Sequence, residues 1–123
     1  MVKIYHNNRC GKSREALKML EEKGIQHEVV DYMKTPISEE ELEGVLEKLD
    51  MDAIDLVRNK EAEWKEHFKG KELDEAEVIL AMIEYPKLME RPIVTTNNKA
   101  IITTVYFTTK SKLISFASSL SKR

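Results

Sequence analysis

The chain has 123 residues, of which 41% are hydrophobic and 34% charged, with a net charge of −2. That is enough for one domain with a real core, and so even a balance gives no electrostatic reason for direct nucleic-acid or anionic-membrane binding. The single cysteine excludes an internal disulfide, and residues 1–20 hold no apolar run suited to a signal peptide or membrane span, so a cytoplasmic protein is expected.

Val2-Lys3-Ile4-Tyr5 reads as a first strand, and Ala16, Leu17 and Leu20 mark a helix from about Gly11 to Lys23. Gly24 follows as a left-handed C-cap. Gln26 to Tyr32 holds a second strand, which Val29 and Val30 mark as buried. Strand, helix and strand in so short a span form a βαβ unit with parallel strands and a right-handed crossover. Thr35-Pro36 breaks the pattern. Ser38 and Glu41 then form a capping-box signature before a helix with Leu42, Val45, Leu46 and Leu49 on one face. Met51 to Leu56 is a further short helical piece, and Lys60 to Phe68 is amphipathic, with Trp64 and Phe68 one turn apart. Asp74 and Glu77 open another helix, whose nearly continuous apolar run Val78 to Ile83 predicts cover over much of its circumference. Tyr85-Pro86 ends it.

Arg91-Pro92 introduces the β-branched strand Ile93-Val94-Thr95-Thr96. Asn97-Asn98 suits a two-residue hairpin with positive φ angles, and Ala100 to Thr104 returns antiparallel. Pro92, which cannot donate to a ladder, fits the start of its strand. Thr108 to Ser111 offers N-caps for a last helix carrying Leu113, Phe116, Ala117 and Leu120. The expected fold is α/β: a single domain over residues 1–123, with a mixed four-stranded sheet built as βαβ then ββα. A helical insertion of about 36–90 separates the two halves.

The chemistry concentrates in His6-Asn7-Asn8-Arg9-Cys10-Gly11-Lys12-Ser13-Arg14, at the carboxyl end of the first strand, where open α/β sheets bind ligands. Cys10 stands in the first turn of a helix, where free N–H groups and the positive dipole end favour an anion. Arg9, Lys12 and Arg14 add positive charge, and such surroundings favour the thiolate, the nucleophilic form. Cys10 is therefore read as a reactive centre rather than a small buried hydrophobe. His6 has two readings, tuning the thiol or capping a turn. One cysteine with the scattered His6, His27 and His67 makes no metal ligand set, so no metal and no bound cofactor are expected.

A βαβ unit with a reactive cysteine at its first helix start, followed by ββα, resembles the thioredoxin-like fold. Three segments are more specific. The His6–Arg14 loop resembles the active-site loop of the glutaredoxin-coupled arsenate reductase family; Leu56-Val57-Arg58-Asn59-Lys60 and Glu90-Arg91-Pro92-Ile93-Val94 resemble that family's two arginine-bearing segments. The resemblance implies Cys10 as nucleophile, His6 as a group that holds the thiolate, and Arg58 with Arg91 as an oxyanion clamp, since a guanidinium meets an oxyanion through paired N–H donors. It implies Pro92 as a cis-proline shaping a thiol-peptide groove, with Arg9, Gly11, Lys12 and Ser13 beside the substrate. Read without it, Arg58 caps the preceding helix, Arg91 pairs with Glu90 or Glu84, and Pro92 simply starts a strand. Two positions depart from the pattern: Thr104-Val105 stands where a third arginine is usual, and Asn8 where proline is common.

The function expected from the resemblance is thiol-dependent reduction. Cys10 attacks an oxyanion or a mixed disulfide, and an external thiol, glutathione or glutaredoxin, resolves the product. The alternative is a non-catalytic regulatory member of the same family, redox-responsive or binding RNA polymerase. There Ser13, in Cys10-Gly11-Lys12-Ser13, excludes an internal Cys-x-x-Cys switch. A monomer is expected in either case.

Overall fold

The computed structural model describes residues 2–102. The chain divides into two compact units, one of residues up to Asp31 together with those from Arg91 onward, the other Tyr32–Glu90.

The first unit contains β1 (Val2–Tyr5), α1 (Gly11–Glu22), β2 (His27–Val30), β3 (Ile93–Thr95) and β4 (Ala100–Ile102). The strands form one sheet in the order β2-β1-β3-β4. β1 runs parallel to β2, with Val2 opposite His27 and Tyr5 opposite Val30. β1 is antiparallel to β3, with Tyr5 opposite Ile93, and β3 is antiparallel to β4. The mixed four-stranded sheet of the thioredoxin-like fold is therefore present. The expected last helix and the Thr104-Val105 position lie outside the described residues.

Alternation in β1 sends Val2 and Ile4 to one face, where they meet Ala16 and Leu20, four residues apart on α1, and Val94 of β3. Burying a side chain the size of Leu20 contributes about 2 kcal/mol. Gly24, at φ +67°, closes α1: its N–H donates to the Glu21 carbonyl, and that of Ile25 to the Leu20 carbonyl. This paired pattern uses two carbonyls the helix leaves over and returns Ile25 to the core beside Leu20.

Two details differ from expectation. β2 is an edge strand among the described ones, and Val29 is 45% exposed rather than buried. In the β3–β4 hairpin neither asparagine takes a positive φ; among the described residues only Asp50 does so without being glycine. Instead the Thr96 hydroxyl accepts the Lys99 N–H at 3.0 Å and the Asn98 N–H at 3.3 Å, while the Thr96 N–H donates to the Lys99 carbonyl. A side-chain acceptor does the work assigned to backbone conformation.

The second unit contains α2 (Glu39–Leu49), α3 (Ala53–Leu56), α4 (Ala62–His67), α5 (Glu75–Glu84) and a 3₁₀ turn at Pro86–Leu88. Ser38 Oγ accepts the Glu41 N–H and starts α2, which buries Leu42, Val45 and Leu46. Asp74 and Glu77 make a reciprocal capping box for α5. Both Glu75 carboxylate oxygens accept the Ala53 N–H at 3.1 Å, so the first residue of α5 caps α3. α5 buries Val78, Ile79, Ala81 and Met82 but leaves Leu80 47% exposed. Residues 56–58 and 88–90 form a short antiparallel clasp: the Arg58 N–H donates to the Leu88 carbonyl, that of Glu90 to the Leu56 carbonyl, and Val57 bridges Met89. Among the described residues no helix is long and apolar enough to cross a membrane.

Candidate active site

β1 delivers the chain to the candidate site. Its parallel ladder continues one residue further, since the His6 N–H donates to the Val30 carbonyl at 2.9 Å. The His6 side chain is thereby turned into the unit and buried. Ser13, fully buried on the first turn of α1, sets its hydroxyl 2.7 Å from His6 Nδ1 and 3.0 Å from the Asn7 N. The hydroxyl accepts from the Asn7 amide and bonds His6 Nδ1, the direction of the second bond following the tautomer of the ring. Burial pushes the His6 pKa down, and Arg14 adds to this; the Asp31 carboxylate and a hydrogen bond to the Ser13 backbone pull the other way without reversing it. At neutral pH the ring is therefore uncharged.

Residues 7–10 fold into a turn in which the Asn7 carbonyl accepts the Cys10 N–H at 3.0 Å and Asn7 Oδ1 accepts the Arg9 N–H at 3.0 Å. Cys10 is the N-cap of α1, with extended backbone at φ −97° and ψ 123°, and its carbonyl accepts the Arg14 N–H at 3.1 Å. An N-cap is normally occupied by an oxygen that accepts an N–H of the first turn. Here the side chain is a half-buried thiol that makes no such bond. The sulfur thus occupies a position built for an anion, at the positive end of a twelve-residue helix. Arg14 is anchored by its guanidinium to the Asn8 carbonyl at 2.9 Å. Arg9, Gly11 and Lys12 are exposed on the loop and first turn.

Arg91 and Pro92 arrive through the sheet. Ile93 is opposite Tyr5 in the β1–β3 register, so the residues before Ile93 lie at the sheet end where His6 leaves β1. The Arg91–Pro92 bond is cis, and Pro92 is buried. The Arg91 Nε is buried without a hydrogen-bond partner among the described residues. Glu90, one expected counter-ion for Arg91, lies 3.9 Å from the Arg58 Nε instead. Arg58 belongs to the second unit, where its guanidinium also pairs with Glu61 at 2.9 Å.

His6, Cys10, Ser13 and the Arg91-Pro92 pair are therefore collected at one end of the sheet, with Arg9, Gly11 and Lys12 on the loop surface. Ser13, expected beside the substrate, has its hydroxyl committed to His6 and Asn7. Asn7 and Asp31 were not anticipated. For Asn7 the available signal was the habit of asparagine of bonding backbone two residues on; for Asp31 there was none. Among the described residues no group of three or more His, Cys, Asp or Glu is placed to hold a metal ion.

Residues 5–104 match the model of the ArsC family. Over 103 residues the chain is 50% identical to the uncharacterized protein YfgD of Escherichia coli (strain K12), spanning 82% of this chain and 87% of that one. It is 43% identical, again over 103 residues, to an arsenate reductase of Neisseria meningitidis, spanning 82% of this chain and 88% of that one. The structure of an arsenate reductase from Vibrio cholerae superposes with a TM-score of 0.78 at 42% identity, covering 82% of this chain and 87% of that one. A match of this extent, running through the Cys10 loop and the Arg91-Pro92 strand alike, makes the chain a member of the ArsC family.

Proposed function

We propose that the protein is a thiol-dependent reductase of an oxyanion, with Cys10 as its nucleophile and glutathione, alone or through glutaredoxin, as the second thiol. The observation that carries this reading is the placement of Cys10: an uncapped sulfur at the N-cap of α1, at the carboxyl end of a strand in a parallel pair. In the proposed cycle the Cys10 thiolate attacks the central atom of the oxyanion, and one oxygen leaves as water after taking up two protons. Glutathione attacks the sulfur-bound adduct; the two sulfurs join as a mixed disulfide, giving up two electrons, and the central atom leaves reduced by two. A further thiol, of glutathione or glutaredoxin, attacks the mixed disulfide and releases Cys10.

Arg91 is the proposed oxyanion ligand, supported by a buried Nε that has no hydrogen-bond partner among the described residues. The amides at the start of α1 are proposed to meet developing negative charge, with Arg9 and Lys12 contributing from the loop surface. Neutral His6 is held at the base of the loop by its bond to Ser13. Arg58 is proposed as a second oxyanion ligand on the family resemblance; its pairs with Glu61 and Glu90 would have to yield to the substrate. The test is arsenate reduction with glutathione and glutaredoxin. Cys10→Ser should abolish turnover, and Arg91→Ala should raise KM by about tenfold or more with less effect on kcat. An unchanged rate in Cys10→Ser sinks the proposal.

A further inference from the structure

We infer that Asn7 is a positioning residue for the Cys10 nucleophile, acting through its side-chain oxygen on the turn that presents the sulfur. The inference rests on the reading of Cys10 as the reactive group. Asn7 makes three bonds: its N–H donates to Ser13 Oγ, its Oδ1 accepts the Arg9 N–H, and its carbonyl accepts the Cys10 N–H, each at 3.0 Å. The first and last are main-chain bonds open to almost any residue. Only the bond from Oδ1 depends on the side chain.

That bond lays a side-chain turn over the main-chain turn of residues 7–10 and limits how the Arg9 peptide can rotate. The Cys10 backbone is gripped on both sides, by the Asn7 carbonyl before it and the Arg14 amide after it. The direction of the sulfur is therefore set by how the turn is folded. Asn7 is 8% exposed, whereas its neighbours Asn8 and Arg9 are exposed. A buried amide costs desolvation that an apolar side chain would not, and the Arg9 bond is the compensation it receives for its oxygen. Loss of Oδ1 would leave the Arg9 N–H to water and let the turn sample other conformers. The sulfur would then spend less time aligned for attack.

The test uses the full chain and oxidised glutathione as probe. The Cys10 thiolate attacks one sulfur of the disulfide, a Cys10–S bond forms as the original S–S bond breaks, and glutathione thiolate leaves; intact mass follows the adduct. Asn7→Ala should slow this reaction by about tenfold or more, since small misalignments of reacting atoms carry penalties of that order. Its thermal midpoint should stay within about 3 °C of the parent. Asn7→Ser, whose hydroxyl makes the same local turn more weakly, should recover the rate to within about threefold of the parent. A purely structural role would lower the midpoint without rescue by serine. A rate within about twofold for Asn7→Ala, or equal slowing in both variants, overturns the inference. If Asn7→Ala does not fold, amide exchange in the parent decides: an Arg9 N–H protected by about tenfold or more supports the role, and an unprotected one overturns it. Absent arsenate reduction with the expected split in these rates removes the reductase reading and leaves the positioning role standing; no adduct on the parent removes both.

Discussion

Replacing Ser13 with alanine tests the bracing of the loop. The hydroxyl joins two buried groups, the Asn7 amide and His6 Nδ1, at 3.0 and 2.7 Å. An unmade bond to a buried polar group costs about 1–3 kcal/mol, so the pair sets the loss at roughly 2–6 kcal/mol. Alanine is the better helix former on the first turn of α1, by about 0.5 kcal/mol, which offsets a part without changing the sign. At about 4 °C per kcal/mol for a domain of this size, the net of roughly 1.5–5.5 kcal/mol corresponds to a fall in Tm of roughly 6–22 °C. Urea unfolding followed by circular dichroism should show a lower midpoint at unchanged m-value. A loss under about 0.5 kcal/mol, the range of an ordinary surface substitution, would mean the hydroxyl is not the brace described here.

Three further predictions concern stability. Because His6 is held below its ordinary value of 6.5, the unfolded chain binds more protons than the folded one just under that pH. The contribution is present above about pH 6.5 and is lost as pH falls below it; His6→Gln should flatten the dependence of Tm on pH between about 7 and 5. Gly24→Ala should cost about 1 kcal/mol by chemical denaturation, all of it backbone, since an added Cβ would meet nothing within 4 Å. Glu75→Ala should cost about 1 kcal/mol by leaving the Ala53 amide uncapped, and Glu75→Gln less, because one acceptor remains.

What could be read from sequence was largely local. Gly24, Ser38 and the Asp74–Glu77 pair announce helix ends because their partners lie within three residues or so, and the helical spacing of Leu42, Val45 and Leu46 survives any tertiary context. The Cys10 loop was legible for the same reason, as a strand end, a thiol and a helix start in succession. Pairings between distant segments were not. Nothing near Arg58 points to Glu90, thirty-two positions on, or to the clasp between residues 56–58 and 88–90. Val29 was misjudged because a β-branched pair has the same pattern at the rim of a sheet as in its middle. The bond from the Ser13 hydroxyl to His6 was not legible either, because a polar residue beside a nucleophile gives no sign that its partner stands seven positions back.

The ladder bond from His6 to Val30 has a consequence for motion. It fastens one end of the loop to the sheet, and α1 fastens the other through Ser13, while Asn8 and Arg9 between them ride on a turn at the surface. The imidazole and the serine then share the slow fluctuations of the scaffold, and the apex, tied by the Arg9 N–H to Asn7 and by the Asn8 carbonyl to Arg14, moves with them. An incoming disulfide would meet a loop already in place, with only the exposed side chains of Asn8 and Arg9 left to rearrange.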